Sequence, residues 1–99
     1  MEGVDDLASV WAELVLGEFL AWVQGQPARA ALLAALDVVN EALGCEQGVS
    51  VAHARAACEA ADWLARVAAS QGFVDMAACF VGMGETVRRM PVRATDAAV

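Results

Sequence analysis

The chain has no lysine, no isoleucine and no tyrosine, and holds only two prolines, one histidine and three cysteines among its 99 residues. Each shortage excludes something. All six cations are arginines against 13 acids, a balance that opposes binding to phosphate backbones, whose affinity comes from cation contacts. Cys45, Cys58 and Cys79 are odd in number and show no paired spacing, which argues against a disulfide framework and for a reducing cytoplasm. There is no CxxC, no His/Cys pair at zinc spacing, no nucleophile motif and no phosphate-cradling glycine loop. No basic-then-apolar signal stretch opens the chain, and Glu18, Asp37 and Asp75 interrupt the apolar runs. No segment therefore reaches the roughly 18 apolar residues that a membrane span requires.

What is present is mostly small and apolar. The chain is 60% apolar before its eight glycines are counted, whereas ordinary soluble domains reach about 45–50% with glycine included. Alanine, at 23 residues, accounts for much of the difference, yet apolar surface remains in excess. Oligomerisation or a standing partner is the simplest sink for it. The heavy use of Ala, Val, Leu, Gly and Arg also fits a GC-rich genome. The net charge of −7 is unevenly placed: residues 1–49 carry eight acids against Arg29 alone, and residues 50–99 carry five acids and five arginines. An acidic first half suits a basic protein partner, as an adaptor or immunity-type inhibitor would meet.

Gly25-Gln26-Pro27, Gly44 to Ser50, Gly72 and Pro91 divide the chain into four apolar-periodic segments. Glycine just past a helix and proline near the start of the next is the expected asymmetry, and Ser50 is placed to cap the third segment. No stretch alternates with period two, so no strands are expected. The fold class predicted is all-α: a four-helix up-down-up-down bundle, dimeric, with helices over about 4–24, 27–43, 51–71 and 73–90 in one domain of residues 1–90. The tail, 91–99, is expected to be loose.

The fourth segment carries the most regular pattern. Phe73, Phe80 and Val87 repeat every seven residues, as do Met76, Met83 and Met90, and the two sets together are the seam positions of a heptad. Such a stripe must be covered, by this chain or by a second copy. In the first segment Leu7, Val10, Trp11, Leu14, Val15, Phe19 and Trp22 cover more than half the circumference, which marks a helix buried on two sides. The residues expected at an interface are thus Trp11, Phe19, Trp22, Phe73, Met76, Phe80, Met83 and Val87.

Glu18 falls between Leu14, Trp11 and Trp22 on that helix, so it is expected at a rim or in an ion pair. Arg55/Glu59 and Asp62/Arg66 in the third segment are spaced for i,i+4 pairs on a solvated strip. His53 faces the alanine side of the same helix and is expected to be a first-turn residue reaching solvent or a satisfied core imidazole. No catalytic residue, metal or cofactor is expected. The function expected is a non-catalytic protein–protein interaction module that self-associates and meets a basic partner. A second reading is a small-ligand or soft-metal site on Met76, Cys79 and Met83, whose thioether and thiol groups suit Cu(I).

Overall fold

The computed structural model describes residues 2–45 and 47–92, with side chains from Glu13 onward. Four helices run in order: α1 (Glu2–Gln24), α2 (Arg29–Leu43), α3 (Val51–Ser70) and α4 (Val74–Arg89). They pack against one another as an all-α domain, and the described residues form no strand.

The helix ends follow local chemistry. Ser50 adopts extended geometry (φ −66°, ψ 153°), and its Oγ accepts a 3.0 Å hydrogen bond from the His53 N–H at the start of α3, which satisfies one of the first-turn donors. At the other end Gly72 turns the chain with φ +86°, a conformation open to residues without Cβ. The Phe73 N–H then reaches the Ala68 carbonyl at 2.8 Å and the Gly72 N–H reaches Ala69 at 3.1 Å, the paired bonds of a Schellman cap. Pro27 does not open α2 as its position suggested. Residues 25–28 form turns instead, and α2 begins at Arg29 after Ala28, which provides no side-chain cap.

Packing is tightest between α3 and α4. Ala57, Ala61, Leu64, Ala65 and Ala68 are the buried face of α3, and Met76, Phe80, Gly84 and Val87 that of α4. A Cβ added at Gly84 would lie 3.4 Å from the Ala61 Cβ, so small side chains are what let these two axes approach. Gly82, two residues earlier, has nothing within 4 Å of its would-be Cβ and is exposed. Gly82→Ala is therefore expected to raise the unfolding free energy by about 0.5–1 kcal/mol, read as a higher urea midpoint at unchanged slope. A lower midpoint would show that Gly82 has a role this packing does not contain.

Pro91 and Val92 depart from the expected loose tail. The Val49 N–H donates to the Pro91 carbonyl at 3.0 Å, and Val49 and Val92 form a single parallel bridge. Val49 is itself buried against Ala42, Ala57 and Val87, so the bond ties the α2–α3 loop to the chain leaving α4. Residues 93–99 of that tail lie outside the described residues.

Among the described side chains of helix α1, those of its C-terminal half pack against the other helices. Phe19 and Val23 are fully buried, and Val15 and Trp22 pack beside them. The radius of gyration is 14.7 Å, with extents of 42, 41 and 17 Å, larger than the ~13 Å of a compact chain this long.

Candidate interaction surface

Of the eight residues expected at an interface, four belong to the chain's own core. Phe19, Met76, Phe80 and Val87 are buried by the same chain and present no side chain to a second molecule. The heptad seam of α4 thus closes internally, against the alanine face of α3 and the end of α1. Trp22, Phe73 and Met83 are half-buried at the edge of that core. Trp11 lies on α1, with its side chain outside the described residues.

Four aromatic rings join α1 to α4. Phe19 meets Phe73 edge-on at 5.6 Å and Phe80 at 5.4 Å between centroids, and Trp22 lies 5.7 Å from Phe19 and 5.8 Å from Phe73. Tilted and edge-to-face pairs at such separations add to the area they bury. Nothing in the spacing of either segment announces that they meet. The one sequence signal is that each carries aromatics in excess of what a single helix face needs.

Among the described residues, large apolar side chains are exposed on α1 and α4, at Val51 at the start of α3 and at Val92 beyond α4. On α1, Leu14 is 64% exposed and Leu16 36%; on α4, Val74 is 71% exposed and Val81 48%. The α4 pair is small and separated by Ala78. Leu14 instead continues a stripe that the helical register extends through Trp11, Leu7 and Val4.

Comparison with protein-family models, with curated proteins and with solved structures finds no match to this chain. Its own geometry carries what can be said of function.

The candidate chemical groups are engaged in structure or solvated. The His53 ring Nε2 sits 3.3 Å from the Val38 carbonyl oxygen, which ties the first turn of α3 to α2. Glu18 is exposed, at the rim position expected of it. Of the i,i+4 pairs expected on α3 neither forms: Asp62 bridges instead to Arg88 of α4 at 3.6 Å, and within α4 Arg89 pairs with Glu85 at 3.7 Å. Arg88 competes for Asp62 because the close α3–α4 approach brings its guanidinium within reach. Both pairs are more than half exposed, so each is worth about 0–1 kcal/mol.

The soft-ligand set of Met76, Cys79 and Met83 lies within one cluster. Met76 is buried, Cys79 and Met83 pack part-buried against the same core, and Met90 packs against the second cluster around Val49 and Val87. No group of three or more His, Cys, Asp or Glu among the described residues is placed to hold a metal ion. A shallow hollow of about 330 Å³, open to solvent, is lined by Thr86, Arg89, Met90 and Pro91. No helix of the described residues is long and apolar enough to cross a membrane.

Proposed function

We propose that the chain is a non-catalytic interaction module, an up-down-up-down bundle that self-associates through α1 and works in a reducing cytoplasm. The exposure of Leu14, at 64%, carries this reading. Leucine burial contributes roughly 1.5–3 kcal/mol, so covering exposed Leu14 and the apolar stripe that the sequence spacing continues toward the start of α1 would be favourable. Free, part-buried cysteines at 45, 58 and 79 support the reducing compartment. The exposed acids Glu13, Asp37 and Glu41 leave the first half available to a basic partner as well, as an adaptor or inhibitor would use it. Affinity for such a partner should fall as salt rises.

Sedimentation of wild type beside Leu14→Glu tests the proposal. Wild type is expected to show a concentration-dependent dimer, and the variant to be monomeric and to unfold as dilute, monomeric wild type does, because Leu14 is exposed on the bundle. A wild-type chain that stays monomeric at all concentrations would sink the reading.

A further inference from the structure

We infer that Leu14 of one copy docks in the hollow at the end of α4 of a second copy, with Glu18 set against Arg89, and that a two-fold pair makes this contact twice. The inference rests on the self-association through α1 proposed above and names the surface that receives it.

The docking side is short and uncovered. Leu14 is exposed, and Gly17, Glu18 and Ala21, which share its side of the helix at spacings of three, four and seven, are exposed with it. Phe19 and Val23, which anchor α1 in the core, lie on the opposite side. Leu14 therefore stands among small neighbours, with one carboxylate beside it. Helix α1 holds no cation along its whole length. A contact of Leu14 with its own counterpart would bring two Glu18 carboxylates to the interface and nothing to neutralise them.

The receiving surface has to join apolar side chains to a cation. Val74 adjoins Asp75, and Val81 stands one turn from Glu85, so a carboxylate arriving at either meets its own sign. The hollow of about 330 Å³ differs: Met90 and Pro91 give it apolar walls, Thr86 a hydroxyl and Arg89 a guanidinium. Exposed Val92 follows directly. The Val49–Pro91 hydrogen bond ties this end of α4 to the start of α3, where Val51 is exposed and Arg55, one turn on, adds a second exposed cation.

Arg89 is open to a new partner. Arg88 beside it is engaged with Asp62 of α3. Arg89 pairs with Glu85 at 3.7 Å, with side chains 75% and 55% exposed, so water already competes for the pair. Glu18 of a second copy can share this guanidinium while Leu14 exchanges water for Met90 and Pro91. In a two-fold pair each copy offers both the leucine and the hollow, so every attraction is counted twice. The surface involved falls at the small end of specific interfaces, and the dimer is expected to exchange rather than persist.

Paired charge reversals followed by sedimentation at fixed, moderate salt test the contact. Glu18 and Arg89 are both exposed, so Glu18→Arg and Arg89→Glu are expected to fold, which helical circular dichroism checks. Alone, each variant sets like charge against like in both contacts, and its dissociation constant should rise roughly tenfold. Mixed together, each variant supplies the charge that the other needs, and a mixed pair should form with near wild-type affinity. Arg66→Glu, an equal reversal on the exposed strip of α3, should leave association unchanged, which separates the contact from an effect of net charge. Should Arg89→Glu fail to fold, Arg89→Gln is expected to weaken the pair in the same direction by less. An Arg89 variant that associates like wild type overturns the inference. So does a Glu18→Arg variant that associates as well as wild type or better, and so does a mixture that stays monomeric. Each of these leaves self-association through α1 standing, whereas a wild type that is monomeric at all concentrations removes the self-association itself.

Discussion

Phe80→Ala is expected to lower the unfolding free energy by about 3–5 kcal/mol. Phe80 is fully buried, in edge-to-face contact with Phe19 at 5.4 Å, on the α4 face that packs on the alanines of α3. Truncation forfeits the transfer energy of the ring and leaves a void that the neighbouring alanines are too short to fill. Native domains keep only about 5–15 kcal/mol in reserve, so the loss is a large share of the whole. Phe80→Asp should go further and yield an unfolded chain rather than a folded monomer, because it places a carboxylate without a partner inside the core. Urea unfolding followed by helical circular dichroism checks both. A Phe80→Ala loss below about 1 kcal/mol would be an ordinary surface-like effect, and would mean that the seam does not close within the chain as described.

How much of this was legible in the sequence differs from element to element. Four helices follow from Gly44, Gly72 and Pro91 as breaks and from Ser50 as a cap, and α3 begins at Val51, one residue after that cap. The error at Pro27 has a physical cause. Proline is compatible with a first helical turn and equally with the turn before it, and here the 25–28 turns take it. The Phe/Met heptad correctly marked a stripe that must be covered, but a heptad states only that a cover exists. What identifies the cover is Phe19, 54 residues before Phe73 in sequence and 5.6 Å from it in space. Nor does charge spacing say whether Asp62 will pair along α3 with Arg66 or across to Arg88, since that depends on how closely α3 and α4 approach. Gly84 and Ala61 decide that approach, and two glycines that read alike in sequence, Gly82 and Gly84, turn out to be one open position and one packed one.

Phe19→Ala is expected to remove a similar ~3–5 kcal/mol, but from one place. Phe19 touches Trp22, Phe73 and Phe80, and with Val23 it supplies the fully buried part of α1. Without it, the described side chains that hold α1 to the core cluster are Val23 and, at the edge, Val15 and Trp22. The core of α2, α3 and α4 keeps the face that Ala57, Ala61, Leu64 and Val39 build. Regions with few buried contacts open below the global unfolding energy, so amide exchange in α1 should accelerate far more than in α3. An equal loss of protection in both helices would show that α1 is integral to one cooperative unit. The same experiment bears on self-association, because most helical stability comes from packing of an apolar face and a partner helix adds stability by mass action. Exchange in α1 of the Phe19→Ala chain should therefore slow as protein concentration rises, while exchange in α3 stays constant. If α1 protection is indifferent to concentration, pairing does not run through that helix.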